Sequence, residues 1–270
     1  MSIIHLSQFL TKSDQLTKSL NLTHHNHHSI SEYSLDDLTI NSFYLPMHSI
    51  FLGLAGADMP ILFDWTDPKT HSIIIVEDDT TSIRQLMLSM IRSLAIMNSP
   101  EDIQYIMISD DPDQWMNSIS QSDNNFEYCA GVVGSNEISA EDWIIYLAQK
   151  AEKRLQGKDW GASIILFVED NAMIGNFDIQ TKLNFEWLIK YGARVNIWII
   201  SGLNIRNEID LLAKIELYRV KIFGNCDSKY RYRINNFVPG SILDDLQSER
   251  HFVTKIGSEW IRFWAPKLQC

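Results

Sequence analysis

The sequence predicts an α/β fold: a mostly parallel sheet with helices on both faces and an antiparallel extension at its C-terminal edge. Three observations lead there. Short runs that are apolar almost without interruption, such as Ile73 to Val76, recur along the chain, as strands covered on both faces require. Segments with helical apolar spacing lie between those runs, the rhythm of βαβ units. The chain has 270 residues, 45% of them apolar, enough for one sizeable core.

Taken in order, residues 1 to 42 read as an arm and 43 to 270 as the α/β domain. The arm holds one amphipathic helix candidate carrying Leu6, Phe9, Leu10, Leu16 and Leu20, then a histidine-rich tract at 23 to 30 and the polar segment SEYSLDD. The tract is read as a solvated linker, because a metal site needs ligands fixed by folded surroundings. SIFLGL and PILFDW, around AGADM, predict a hairpin. The strand candidates that follow are 73 to 76, 104 to 109, 128 to 133, 163 to 168, 195 to 201 and 218 to 223. Helices are expected at 80 to 97, 140 to 156, 179 to 191 and 207 to 213. The apolar face of the first is Ile83, Leu86, Met87, Met90, Ile91 and Leu94. In the tail, RYRINN, RHFVTKI and EWIRFW are expected as short antiparallel strands. In the last, Trp260 and Phe263 set against Ile261 and Trp264 leave one pair to be buried and the other as a candidate exposed partner edge.

Charge and composition exclude several functions. A formal net charge of −11 repels nucleic acid on average, so DNA is expected only as an indirect partner. No run reaches the eighteen or so apolar residues of a membrane span, and the N-terminus lacks the pattern of a signal peptide, so a cytoplasmic location is expected. Cys129, Cys226 and Cys270 have no metal-ligand spacing and read as reduced thiols.

The chemistry centres on the turn between the first parallel strand and the first helix, which reads EDDTT. In many α/β proteins this turn cradles a phosphate with helix N-terminal amides. Locally, IIIVEDDTTSIRQLM resembles the opening of a response-regulator receiver domain, a magnesium-binding signalling module whose third strand ends on a phosphorylated Asp. About forty-four residues beyond Glu77, however, lies Gln121 in a polar loop. The longer resemblance, over about residues 46 to 265, is to the FtsK/SpoIIIE and HerA group of P-loop motor ATPases. FLGLAGADMPILFDW before HSIIIVEDDTTSIRQLM, with His71 at the group's histidine, resembles the strand pair and phosphate loop. IMISDDPD, QKAEKRL, IILFVED and YGARVNIWIISG follow in the group's order. The resemblance implies a RecA-like P-loop NTPase fold.

Set on that pattern, Val76, Asp79 and Thr81 occupy glycine positions, Ser82 that of the phosphate lysine and Ile83 that of the magnesium-binding hydroxyl. The phosphate loop is therefore expected to be degenerate at Asp79, Thr80, Thr81, Ser82 and Ile83. Backbone amides curl around phosphates only where no Cβ intervenes, and the lysine and hydroxyl supply a cation and a metal ligand. Glu77, Asp78 and Asp79 add repulsion: a pair of unit charges about 4 Å apart is worth about 4 kcal/mol near a protein surface. The same acids suit the positive end of a helix dipole, so they can stand in for a bound anion.

Glu169 and Asp170 resemble the Walker B pair in inverted order, a degenerate catalytic site, and with Glu77 and Asp78 they are weak candidates for a magnesium site. Ser201 resembles the polar sensing residue after the fourth strand, with Gly202 and Leu203 where Gln and Arg are expected. Lys229, Arg231 and Arg233, alternating with Tyr230, Tyr232 and Ile234, suggest a solvated strand edge over a buried tyrosine face. Arg154 and Arg194 could be inter-subunit fingers in an active ring, or salt-bridge partners. The resulting expectation is a pseudo-ATPase that partners another protein, such as an active P-loop subunit, as a structural or regulatory part, with oligomerisation open. No cofactor is expected; ATP with magnesium belongs to the alternative of an atypical active ATPase.

Overall fold

The computed structural model describes residues 33–35, 47–56, 59–67, 70–120, 126–206, 210–247 and 249–268. The N-terminal helix candidate, the histidine tract and Cys270 lie outside them.

The described residues form one ten-stranded sheet in the order β2-β1-β10-β9-β8-β3-β7-β6-β4-β5. Its parallel block runs from β8 (Val220–Phe223) through β3 (Ile73–Glu77), β7 (Ile197–Asn204), β6 (Ser163–Val168) and β4 (Ile103–Ser109) to β5 (Cys129–Gly134). The antiparallel extension consists of β9 (His251–Ile256), β10 (Glu259–Trp264), β1 (Ser49–Ala55) and β2 (Met59–Asp64). The expected hairpin is β1–β2, and it, not the tail, forms the outer edge. The tail strands β9 and β10 stitch it to the parallel block. This order also removes the receiver reading: there the first strand lies between the second and third, whereas β3 lies between the last two parallel strands, β7 and β8.

Burial on both faces follows from the sequence of β3. Ile73 and Ile75 join the apolar layer under α1 (Thr80–Met97), and Ile74 and Val76 join the opposite layer under α3 (Ile138–Leu155) and α4 (Ile179–Tyr191). The expected face of α1 is buried in full, from Ile83 to Leu94. At roughly 1.5 to 3 kcal/mol each, those six side chains contribute on the order of 10 kcal/mol, an upper figure because unfolded chains already bury some surface. Asp79 starts this helix by accepting a bond from Thr81 N at 2.9 Å. Asn98 ends it, donating to Leu94 O and Ser49 O and accepting from Trp65 Nε1, so the helix end is tied to the hairpin.

α2 (Pro112–Ser120) and α5 (Leu211–Leu217) complete the longer helices. Ser34 bridges to Lys267, and Leu35 packs with Phe51, Leu54, Leu62 and Met97.

Residues 228 to 236 correct one expectation. They form a helical turn, α6 (Ser228–Arg231), followed by further turns, with no strand. The alternation of cations and aromatics imitates a strand period, but Asp227 accepts from Lys229 N at 3.1 Å and bends the backbone into a turn. The basic side chains are engaged: Arg231 donates to Cys226 O at 2.8 Å and pairs with Asp244, and Arg233 donates to the Ile205 and Arg206 carbonyls. A second short helix, α7 (Gly240–Leu243), follows. The expected pairing of Trp260 with Phe263 does not hold, because alternation along β10 puts Phe263, fully buried, on one face with the half-buried Ile261, and Trp260, also half-buried, on the other. Trp264 stacks on His251 at 4.3 Å, so the tail does not present an exposed aromatic edge.

Candidate functional site

The site lies at the C-terminal ends of the parallel strands, where open α/β sheets hold their ligands. β3 ends on Glu77, α1 starts at Thr80, and only Asp78 and Asp79 join them. That is a much tighter connection than the GxxxxGK[ST] loop that wraps a phosphate between strand and helix. Thr81, Ser82 and Ile83 already belong to the helix, and Ser82 and Ile83 are buried.

Each acid of the turn has its own place. Asp79 caps α1. Asp78, buried, accepts from Asp227 N at 2.9 Å and faces the Arg206 guanidinium at 3.6 Å. Glu77 is 1% exposed and packs so closely over Gly224 that a Cβ there would sit 2.4 Å from its Oε2. Neither Glu77 Oε2 nor the nearby Ser82 Oγ has hydrogen-bond geometry with a partner among the described residues. Burial therefore pushes the Glu77 carboxyl well above the usual carboxylate range; the Ser82 hydroxyl opposes this only in part, and the charges of Asp79 and Asp78 add to it. Burial, with Glu77 and Asp78 adding to it, also raises the Cys226 thiol.

On the other side of β7, Glu169 follows β6 and is 4% exposed. Its Oε1 receives the Arg84 guanidinium, with Nε at 2.6 Å, and its Oε2 receives the Ser109 hydroxyl. Ser109 in turn accepts from Asp111 N at 2.9 Å. Arg84 lies over the Trp115 ring at 5.8 Å. Asp170 accepts from Ala172 N at 3.0 Å, capping the turn 171–176. Glu169 and Asp170 thus point into separate hydrogen-bond systems. Among the described residues no three His, Cys, Asp or Glu side chains come together as a metal group, so the four magnesium candidates are not assembled.

Between the two acids the floor is apolar and tight. A Cβ at Gly202 would lie 2.1 Å from Glu169 O and 2.5 Å from Ile83 Cγ2. Ile83, at the position matched to a metal-binding hydroxyl, fills that space. Ser201 is fully buried and bonds the Tyr218 hydroxyl at 2.7 Å; the same hydroxyl accepts from Asn171 Nδ2 at 2.9 Å. The position matched to a sensor is part of a closed internal network.

Arg154 donates to the carbonyls of Val195, Asn196 and Ala162, so it braces the segment around β6 and β7 and is not extended as a finger. Arg194 is exposed and lies over Tyr191 at 5.3 Å. His71 shares a hydrogen bond with Arg219 at 2.9 Å, and burial lowers its pKa, the Arg219 charge adding to the effect.

Sequence reasoning missed Arg84, Ser109 and Tyr218. One signal was present: the cation absent at Ser82 reappears two residues on, as Arg84, while a carboxylate, Glu169, follows the strand that resembles Walker B.

The strand order and the position of this site define a RecA-like P-loop NTPase fold. Comparison with solved structures bears this out. ATPases 2 and 3 of Thermomonospora curvata EccC, in complex with a signal sequence peptide, superpose with a TM-score of 0.66 at 12% identity, over 98% of this chain and 49% of that one. ATPases 2 and 3 of EssC from Geobacillus thermodenitrificans give 0.60 at 13% identity, over 98% and 50%. The pCW3 conjugation coupling protein TcpA, in monomer form with ATPγS, gives 0.59 at 14% identity, over 97% and 82%. The chain spans about half the length of the EccC and EssC chains. The resemblance to the FtsK/SpoIIIE group therefore stands at the level of the fold. No protein-family model and no curated protein matches the sequence. Among the described residues no helix is long and apolar enough to cross a membrane.

Proposed function

We propose that this chain is a catalytically degenerate domain of the FtsK/HerA-like ATPase fold, acting in the cytoplasm as a structural or regulatory subunit of a larger assembly of the DNA-translocation, secretion or defence type. The observation that carries this reading is the internal occupation of the nucleotide position. The Walker B carboxylate is held by Arg84 and Ser109, Ile83 fills the place of the metal-binding hydroxyl, and Asp79 caps the amide at Thr81. An incoming triphosphate would have to displace these partners and face the charges of Asp78 and Asp79. Its partner on this reading is a protein, such as an active P-loop subunit, since EccC and EssC carry ATPases in tandem.

Titration of the full chain with labelled ATP and magnesium tests the proposal. No binding in the micromolar range and no turnover are expected. Micromolar binding, or turnover abolished by Glu169→Gln, sinks it. The alternative of an atypical active ATPase has one observation in its favour, the exposed Thr80 and Thr81 at the start of α1. It requires magnesium to raise the melting temperature only when ATP is present.

A further inference from the structure

Helix α4 is apolar on two sides. Thr181, Phe185, Leu188 and Ile189 face the core and are buried. Ile179, Leu183, Trp187 and Tyr191, each four residues after the last, form a row along its outside. Ile179 is 77% exposed, Leu183 55% and Tyr191 41%; Trp187 is half-buried, one side packed on the core, and the Trp187 and Tyr191 rings lie 5.6 Å apart. A surface helix ordinarily carries one apolar stripe, facing the core, so a second row of large exposed apolar side chains marks an interaction surface. Residues four apart also form the ridge that interdigitates in the commonest class of helix packing.

Charge along the helix indicates what covers it. The N-terminal end is acidic: Asp178 caps the helix through Thr181, and Glu141 of α3 accepts from Asp178 N at 3.1 Å. The C-terminal end is basic, with Lys190 and Arg194 exposed; Lys190 makes only a half-exposed contact with Glu186 at 3.7 Å, a geometry of small energy. A second α4 running the opposite way would set Ile179 opposite Tyr191 and Leu183 opposite Trp187. It would also bring each acidic end to the other's basic end and oppose the two helix dipoles.

We infer that α4 is a self-association surface, on which two copies of this chain meet antiparallel along the row from Ile179 to Tyr191. The contact is isologous and closes on itself. It lies on the helix layer away from the acidic turn of β3 and α1, so it does not depend on the state of the nucleotide position.

Sedimentation velocity of the full chain over a wide concentration range tests this. A monomer–dimer equilibrium is expected. Leu183→Glu should raise the dissociation constant at least about tenfold, by removing a buried leucine's contribution; if that variant fails to fold by circular dichroism, Ile179→Ser takes its place. Lys190→Glu should weaken the dimer, and adding Glu141→Lys to it should restore association. A monomer at every concentration overturns the inference, as does a dimer that Leu183→Glu and Ile179→Ser leave unchanged. Loss of the dimer without rescue by the charge swap overturns the antiparallel arrangement.

Discussion

Arg84→Met tests the proposed internal occupation of the nucleotide position. Glu169 is held between Arg84 and Ser109, with side-chain exposure of 5% for the acid and 22% for the arginine. Removing the guanidinium leaves a buried carboxylate with one hydroxyl for company. Breaking a buried pair in this way costs about 3 to 5 kcal/mol, and the partial exposure of Arg84 places the cost near the lower end, about 3 kcal/mol. For a chain of this size that is a fall in melting temperature of about 6 to 9 °C. Methionine keeps most of the apolar length of the side chain, so the loss reports the guanidinium, both its pairing with Glu169 and its place over the Trp115 ring. Urea unfolding at constant m is the assay. Glu169→Gln measured alone, and the double variant, complete a cycle in which the double change should cost at least about 1 kcal/mol less than the two single losses together. An Arg84→Met cost below about 1 kcal/mol, or no coupling, would mean that the Glu169 carboxylate is solvated and open to a metal. The reasoning behind the proposed function would then fail.

Other perturbations follow from the same geometry. Glu77 binds its proton more tightly folded than unfolded, so its contribution is complete below the usual carboxylate range and is lost as pH rises towards its raised folded value, at up to about 1.4 kcal/mol per pH unit. Glu77→Gln should therefore stabilise the protein at neutral pH and flatten the decline, as read from melting temperature against pH; an unchanged profile contradicts the buried placement. Gly202→Ala should cost at least about 1 to 3 kcal/mol, because the added carbon meets Glu169 O and Ile83 and the backbone must shift. Wild-type stability in urea would show that the floor of the site is not tight. Tyr218→Phe strips Ser201 and Asn171 of their shared hydroxyl and should cost about 1 to 3 kcal/mol by the same assay.

The main elements were legible because burial writes a local pattern. Ile73 to Val76 could only be a strand covered on both faces, and the spacing from Ile83 to Leu94 gave α1 its full length and its buried face. The segment from 228 to 236 was not legible, since alternation alone cannot tell a strand from successive turns, and Asp227 decides the matter by capping. At the site, sequence marked the acids of the turn as partners of the helix dipole and the missing lysine at Ser82. It could not reveal the partners, because Arg84 and Glu169 stand 85 positions apart and meet only through the order of β3, β7 and β6. Tyr218 was hidden for the same reason: it reads as the start of a strand, and its hydroxyl acquires meaning only beside Ser201 and Asn171.

The stitching of the hairpin by β10 has a consequence for biosynthesis. All seven residues of β1 are buried, yet the strand that completes its pairing ends at Trp264. During translation the hairpin emerges well before β10 and waits, its inner edge unsaturated, while the whole parallel block between them is made. Closing so long a loop is slow, and an unpaired apolar strand is adhesive while it waits. Nascent chains stalled before residue 251 should accordingly bind chaperones or aggregate, and release should come only with the last two strands.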